Sequence, residues 1–472
     1  MRDAVSRGLQ RGVMALRAMS AAMWFAATIG VAASAATPLA HTLGVSHASV
    51  LHAQGVATGN EAPPAPGVSA TLDSARALRG ASLTVSLYTY GPSDVFFERF
   101  GHAAVGVYDS STGQDIAFNW GMFDFNQPNF LLRFLTGDTK YSMAGFPTTL
   151  FNNVYRRDNR SIRQQVLALT AVEKAALQDY VQWFAREENK YYRYDYYSDN
   201  CSTRIRDLLD RTLGGRLRPT LDSAGSGRTW RGETARVLEY NLPLYAGIEI
   251  ALGRHADEPL TRWNEEFLPD HMADHLAGLV LRDASGRRYR LVEQDTVLFT
   301  ATRVPLPAEP PSWLPMAALA GLTLAGLTAA LADARSRAAR VILGVAVATW
   351  YLVGGLLGTA LLLAATVTKH APYMGANTTL LSLQPLLLFA AVVVPLALVR
   401  GTPSRAAMGL SAVIAVLSLL GVCAQLVPAF AQESGVVLAV VVPVHVAIAI
   451  AVWRLGSAHG LARQAARAGR RA

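Results

Sequence analysis

The chain has few cysteines and few charged residues for its length. Only Cys201 and Cys423 occur among 472 residues, which excludes a scaffold stapled by several disulfides. Charged residues make up 16 %, against about 25 % in an average soluble domain. The hydrophobic fraction of 51 % and the mean hydropathy of +0.23 argue against disorder and against a wholly soluble protein. Apolar residues concentrate towards both ends, so the composition predicts a membrane protein with a globular middle.

The net charge of +9 raises the question of a nucleic-acid partner. It arises from 43 Lys and Arg against 34 Asp and Glu. Much of this surplus lies in short segments between apolar runs and in the C-terminal tail, where basic residues set the orientation of membrane helices. We therefore expect no nucleic-acid partner.

The N-terminal 36 residues have the three parts of a secretory signal. Four arginines precede an apolar run over residues 19–36, which ends in small residues. The alternative is an uncleaved membrane anchor, because the run is close to the length that spans a bilayer. Both interpretations place the following residues outside the cytoplasm. Residues 37–80 are rich in Ala, Gly, Pro and Ser and predict a flexible linker.

Five apolar runs in the C-terminal part predict an all-α membrane domain of five transmembrane helices over residues 312–455. Each is long enough to cross a hydrocarbon core of about 30 Å as a helix. The runs are Trp313–Leu331, Val341–Val367, Leu380–Val399, Met408–Val427 and Val436–Trp453.

The charges between these runs predict their orientation. The first and third connections and the tail together hold ten arginines, whereas the second and fourth hold only Lys369. This asymmetry places the basic tail, residues 456–472, in the cytoplasm. An odd number of crossings then places the preceding domain on the other side. We expect a multi-pass protein of the bacterial inner membrane.

Residues 81–305 predict one extracytoplasmic α+β domain with a small antiparallel sheet packed against helices. Alternating patterns and turn residues predict a β-hairpin, and a Thr170–Glu173 capping box predicts a helix towards Ala185. A further helix begins near Cys201 and stops at Gly214-Gly215. The predicted strands are Ser82–Tyr88, His102–Tyr108, Asp115–Trp120, Gly278–Leu281 and Tyr289–Leu298.

Cys201 is the candidate nucleophile because it is the only cysteine of this domain. It follows Asp199-Asn200, a cap-like pair, and opens a helical pattern. The positive end of a helix lowers a thiol pKa, and Arg204 and Arg206 would add to that field. The alternative is a small buried hydrophobic residue, since unpaired cysteines are often buried.

His102 is the candidate general base, because a cysteine nucleophile commonly pairs with a histidine. It heads a predicted strand after Gly101, where glycine lets another group approach closely, and Asn119 on the neighbouring strand is placed to orient its ring. A strand-end histidine bonded to backbone is the alternative. His271 and His275 have metal-ligand spacing but no third ligand, so we expect no metal and no cofactor.

Three segments of the domain together resemble a known family. They are Glu98–Val105, Phe118–Phe125 and Asn200–Arg204. They are similar to the extracytoplasmic domain of the bacterial lipoprotein N-acyltransferases called Lnb, whose multi-span tail the chain also matches. The order of histidine, polar residue and cysteine resembles permuted papain-like (NlpC-type and lecithin–retinol acyltransferase-like) enzymes. The resemblance implies such a fold, with Cys201 as nucleophile, His102 as base and Asn119 as the orienting residue.

The resemblance implies a cysteine-dependent acyltransferase. An acyl chain would pass from a membrane phospholipid or lipoprotein ester to the N-terminal amine of a lipoprotein, through a thioester on Cys201. Two alternatives stay open: a membrane-tethered cysteine hydrolase acting on peptidoglycan peptides or lipid esters, and a non-enzymatic envelope assembly module. The sequence does not predict the oligomeric state. Candidate substrate-binding residues are Arg99, Asn200, Ser202, Lys369, His370 and Asn377, the last three on a segment that is alternatively a plain connecting loop.

Overall fold

The computed structural model describes residues 61–124, 127–283, 285–334 and 336–468, with side chains to residue 458. The predicted signal, Phe125 and most of the predicted linker lie outside the described residues. The described chain divides into two compact units. The first, here the sheet unit, comprises residues up to Trp230 together with Pro259–Pro307. The second, the membrane unit, comprises Arg231–Glu258 and residues from Ala308 onwards.

The sheet unit is built on a seven-stranded antiparallel sheet. Its strands are β1 Leu83–Tyr90, β2 His102–Asp109, β3 Gln114–Met122, β4 Lys140–Pro147, β5 Ile162–Leu167, β6 Tyr191–Arg193 and β11 Val292–Phe299. They lie in the order β11-β5-β1-β2-β3-β4-β6. Two small antiparallel pairs complete the strands: β7 Gly225–Thr229 with β8 Pro259–Thr261, and β9 Val280–Arg282 with β10 Arg288–Arg290.

Helices cover both faces of this sheet. The core on one face includes the fully buried side chains of Val85, Val105 and Ile205. On the other face, Tyr90 and Phe151 belong to a smaller aromatic cluster. The helices are α1 Ala70–Gly80, α2 Phe130–Thr136, α3 Thr148–Arg157, α4 Ala171–Phe184, α5 Cys201–Thr212, α6 Leu217–Asp222, α9 Arg262–Glu265 and α10 Pro269–Gly278; α7, Trp230–Leu238, begins at the boundary of the two units.

The predicted α+β domain and its hairpin are confirmed. β2 and β3 pair antiparallel, with Val107 opposite Ile116, and Thr170 and Glu173 form the predicted capping box. The late strand predicted over Tyr289–Leu298 is wrong in one respect, because Leu291 divides it between β10 and β11. The permuted papain-like assignment stays a prediction.

The predicted linker is wrong over its last residues, because Ala70–Gly80 form helix α1. The Ser69 side chain caps this helix by accepting a hydrogen bond from the Leu72 N–H. Arg76 is 1 % exposed and its Nε donates to Asp179 Oδ2 on α4 at 2.9 Å. A buried ion pair of this kind fixes the helix to the domain, so the ordered unit begins before residue 81.

The membrane unit contains the five predicted apolar helices. Their spans agree with the predicted runs to within a few residues: Leu314–Asp333, Arg337–Val367, Thr378–Arg400, Arg405–Ala424 and Gly435–Ala458. Residues 231–258, which the sequence assigns to the domain 81–305, belong to this unit instead. They form the end of α7, helix α8 Leu242–Ala251 and a short 3-10 helix Arg254–Asp257.

Candidate active site

Cys201 is the first residue of helix α5, as the sequence predicts. Asn200 caps the helix: its side-chain oxygen accepts hydrogen bonds from the N–H groups of Ser202 and Thr203 at 2.8 and 3.0 Å. The Thr203 hydroxyl in turn accepts from the Asn200 N–H at 2.8 Å, which completes a capping box. This reciprocal pair holds the first turn of the helix, and with it the thiol, in one position.

His102 is the first residue of β2. It follows Gly101, a position where a side chain would be strained. Gly101 has a φ of +78°, and a Cβ atom there would lie 2.9 Å from the Tyr90 carbonyl oxygen. Tyr90 is also the residue that pairs with His102 across β1 and β2. The close approach predicted at Gly101 is therefore confirmed, and it sets where the strand and its histidine begin.

The two candidate catalytic side chains meet beside Gly121, near the end of β3. A Cβ atom built on Gly121 would lie 3.7 Å from His102 Cε1 and 3.8 Å from Cys201 Cβ. Both residues therefore border one small space, although 99 positions separate them in the chain. Gly121 has a φ of +103° and no side chain, so the space between imidazole and thiol stays open.

Asn119 faces the same space from β3. It is fully buried, and its Nδ2 donates a hydrogen bond to the Ala144 carbonyl on β4 at 3.0 Å. That bond orients the amide, so its Oδ1 becomes the group that interacts with the His102 imidazole and favours the protonated ring. Within the described residues Oδ1 makes no hydrogen bond of standard geometry, so this interaction is a loose one. The orienting role of Asn119 stays a prediction.

The imidazole of His102 lies among aromatic rings. Its ring centroid is 6.1 Å from that of Tyr155, 6.2 Å from that of Phe151 and 6.3 Å from that of Tyr90. Burial, followed by the positive charge of Arg160, lowers the pKa of His102 to about 3, while Asn119 acts in the opposite direction. His102 is therefore neutral at physiological pH and able to accept a proton.

The thiol of Cys201 is also neutral in the free protein. Burial raises its pKa to about 11, against the smaller lowering effects of the N–H groups of Ala103, Ser202 and Cys201 and of the Arg160 charge. The expectation that the helix terminus favours a thiolate is therefore wrong for the resting state. Burial of the sulfur raises the Cys201 pKa by more than the partial positive charge of the helix terminus lowers it.

Arg204 and Arg206, expected to add to the field at Cys201, are engaged elsewhere. Arg204 Nη2 donates to Asp199 at 2.7 Å. Arg206 donates to the Trp263 carbonyl at 2.8 Å and lies 4.0 Å above the Trp263 ring. The cation that acts on both catalytic side chains is Arg160 instead.

Arg160 is a site residue that the sequence does not reveal. It is 1 % exposed, and its guanidinium donates to the Gly91 carbonyl at 2.8 Å and to Glu98 at 3.1 Å. It also lies 4.6 Å from the Tyr155 ring centroid. The residue sits between α3 and β5, with no motif around it, so only the folded chain brings it to the site.

Three of the predicted substrate-binding residues lie next to the catalytic pair. Asn200 is 5 % exposed, and its Nδ2 donates to the carbonyls of Tyr196 and Phe267 at 3.0 and 2.9 Å. Ser202 is fully buried, with its hydroxyl 3.7 Å from Met272 Sδ. Arg99 is 8 % exposed and ends a 3-10 turn, Phe96–Glu98. The contacts of Asn200 and Ser202 are structural ones, and substrate binding by these three residues stays a prediction.

The other three predicted binding residues lie in the membrane unit. Asn377 is 7 % exposed, and its Nδ2 donates to the carbonyls of Ile250 and Ala251 at 2.9 and 3.1 Å. It thereby joins the end of helix α8 to the segment before the third apolar span. Lys369 and His370 lie just before the short helix Ala371–Met374. Asn377 thus has a structural use, and head-group contact by this segment stays a prediction.

His271 and His275, considered as metal ligands, lie beside two glutamates on α9 and its end. His275 Nε2 is 3.2 Å from Glu265, and its Nδ1 is 3.3 Å from Glu266. His271 Nε2 is 3.6 Å from Glu265. Burial alone would lower the pKa of His275, but the two carboxylates outweigh it and raise that pKa to about 9. His275 therefore forms ion pairs with both glutamates.

One comparison with known proteins matches part of the chain. Residues 71–236 match the model of the Lnb N-terminal periplasmic domain. This segment contains His102, Asn119 and Cys201, and it begins with helix α1, consistent with the ordered start of the unit. Searches of the curated proteins and of the solved structures found no match. The segment that holds the candidate site is thus similar to the Lnb N-terminal periplasmic domain, and five apolar helices able to span a membrane follow it in the chain.

Proposed function

We propose that this protein is a membrane-anchored thiol acyltransferase that modifies the N-terminal amine of bacterial lipoproteins. The observation that carries the proposal is the convergence of His102 and Cys201 on the space beside Gly121. A thiol, an imidazole and an orienting amide in one partly exposed site are the groups that acyl transfer through a thioester needs. The protein would lie in the inner membrane with its C-terminus in the cytoplasm, in line with the arginine distribution.

The first half of the reaction forms the thioester. His102 removes the proton from the Cys201 thiol as the sulfur attacks the carbonyl carbon of a lipid ester. The carbon–oxygen bond of the ester then breaks, and the leaving alcohol takes the proton from His102. The N–H groups at the start of α5 are near the sulfur and would stabilise the negative charge that develops on the carbonyl oxygen.

The second half transfers the acyl group. A neutral amine attacks the thioester carbonyl, its proton passes to His102, and the carbon–sulfur bond breaks to restore the thiol. The neutral resting states of both side chains fit this cycle, because His102 must start without a proton in each half. The chain's membrane helices would keep the domain close to lipid-anchored donors and acceptors, which raises their effective concentration.

The test uses cells in which the full-length gene is replaced by variants. Mass spectrometry of lipoprotein N-termini should show amide-linked acylation with the natural protein and none with Cys201→Ser or His102→Ala. Cys423→Ser, at the other cysteine, is the matched control and should leave acylation intact. Unchanged acylation in the Cys201→Ser strain would reject the proposal. Loss of lipid esters without any gain of acylated amines would identify a hydrolase instead.

A further inference from the structure

The sheet unit exposes a group of large apolar side chains. Helix α2 and the turn before β2 contribute them, and we call this group the apolar rim. Within α2, Leu132 is 62 % exposed and Leu131 is 49 % exposed. An apolar surface of this kind on a soluble domain marks a binding region. The rim consists of Val95, Phe96, Phe97, Leu131, Leu132, Phe134 and Leu135.

Helix α2 holds these side chains in place although it has only seven residues. Gly137 ends the helix in a left-handed conformation, and its N–H donates back to carbonyls of the last turn. Arg133 Nε donates to the Asp138 carbonyl at 3.0 Å, and the Gln127 side chain donates to the Asp124 carbonyl at 2.9 Å. The exposed leucines therefore project from a fixed scaffold.

Aromatic rings connect the rim to the thiol. Phe97 of the rim contacts Phe123 with centroids 5.6 Å apart, and Phe123 contacts Tyr141 at 5.2 Å. Tyr141 stacks on Tyr194 at 4.2 Å. The rings come close to the thiol at Phe123, which lies two residues beyond Gly121, where an added Cβ atom would be 3.8 Å from Cys201 Cβ. These rings, with Phe130 beside Phe123 at 6.4 Å, form the aromatic track.

A short connection ties this unit to the first apolar helix. Its last long strand ends at Phe299, and the first apolar helix begins at Leu314. Even fully extended, that connection spans at most about 50 Å. Among possible occupants of an exposed apolar rim, the hydrocarbon of the membrane that anchors the same chain is the one already present. Leucine and phenylalanine are also the side chains that enter the boundary of a bilayer.

We propose that the apolar rim inserts into the membrane surface and that the aromatic track guides a lipid acyl chain from the bilayer to Cys201. The second half of this statement rests on the proposed function; the first half does not. The substrate class that follows is a long-chain ester presented from within a bilayer. Short soluble esters would reach the thiol without using the rim.

The first experiment compares two donors with one protein. Full-length protein in vesicles of phosphatidylethanolamine and phosphatidylglycerol is mixed with soluble p-nitrophenyl butyrate or left with the vesicle lipid alone, and acylation of Cys201 is followed by intact mass. Leu132→Gln should lower the rate from vesicle lipid at least tenfold and change the rate from the soluble ester less than twofold. Leu78→Gln on α1 is the matched control, because Leu78 is also a helical leucine and is 83 % exposed. It should change neither rate.

The second experiment measures insertion without any reaction. A bimane fluorophore is attached at Leu132→Cys or Leu78→Cys in a full chain carrying Cys201→Ser and Cys423→Ser. Lipids with a nitroxide on the acyl chain should quench the label at position 132 strongly and the label at position 78 weakly. Equal quenching of the labels at positions 132 and 78 would refute insertion of the rim. An equal loss of rate with both donors in Leu132→Gln would refute guidance of the acyl chain along the aromatic track. If the natural protein forms no thioester with either donor, the proposed function is wrong. The quenching experiment still tests whether the apolar rim inserts into the membrane.

Discussion

Replacing Gly121 with alanine tests whether the space between His102 and Cys201 is the reaction site. The new methyl group would lie 3.7 Å from His102 Cε1 and 3.8 Å from Cys201 Cβ, which are ordinary contact distances. The side chains need not move to accept it. The methyl would instead occupy the volume through which the proton and the substrate carbonyl must pass. We therefore expect loss of function without steric disruption of the fold.

The backbone adds a cost that must be separated from this effect. Gly121 has a φ of +103°, and a non-glycine residue in such a conformation costs about 1–3 kcal/mol. Gly113 in the β2–β3 turn has a φ of +74° with no atom within 4 Å of its added Cβ, so Gly113→Ala carries backbone strain without touching the site. Both variants should lose stability in the same range.

The assay is the rate at which Cys201 becomes acylated, measured by intact mass alongside thermal unfolding of the same samples. We expect Gly113→Ala to keep the natural rate and Gly121→Ala to lose it by about a hundredfold, the order that displacement of a reacting group by about 1 Å produces. If Gly121→Ala reacts as fast as Gly113→Ala at matched stability, the space beside Gly121 is not where the chemistry occurs.

Three further predictions concern the titrating groups. The rate at which iodoacetamide alkylates Cys201 at pH 7 should be about 100-fold lower than that of an ordinary thiol, because the Cys201 pKa is about 11. The rate should rise about tenfold per pH unit up to pH 10. A rate that levels off near pH 7 would contradict the argument that burial raises this pKa. Asn119→Ala should slow single-turnover acylation of Cys201 at least tenfold and leave the rate of Cys201 alkylation unchanged, because the variant loses the interaction that favours the protonated His102. An unchanged acylation rate would refute an orienting role for Asn119. Burial raises the pKa of Glu266 to about 7, and the carboxylates raise that of His275 to about 9. Both groups bind more protons folded than unfolded, so each contributes stability that is lost as the pH rises. Below about pH 6.5 the lowered pKa of His102 acts in the opposite direction. Thermal stability should therefore fall between about pH 7 and pH 9, and His275→Gln should flatten that fall.

The elements around the site were predictable because their signals are local. Alternation along β2 and β3 and the turn between them predict the hairpin, which places His102 and Asn119 on adjacent strands. The cap at Asn200 predicts the start of α5 and hence the position of Cys201 in its first turn. That His102 and Cys201 lie close together was predicted from the family resemblance and not from their spacing in the sequence.

The parts that could not be predicted depend on residues distant in the chain. Arg160 acts on the site only because β5 pairs with β1 and brings the preceding loop to Gly91 and Glu98. Helix α1 lies in a segment whose composition resembles a linker, and its docking depends on the contact between Arg76 and Asp179. Neither contact leaves a periodic or motif signal in the sequence.

The protonation state of Cys201 shows why such long-range packing decides the mechanism. A helix terminus stabilises a nearby anion by about 0.3–1 kcal/mol, which is less than one pKa unit, whereas burial can move a pKa by several units. Burial wins here, so the resting thiol is protonated and protected from oxidation, which requires the thiolate. Proton transfer to His102 is then unfavourable until a substrate carbonyl accepts the sulfur's electrons. Activation of the thiol is therefore coupled to the presence of an ester, and an enzyme of this design would acquire its reactivity only with a lipid in the site.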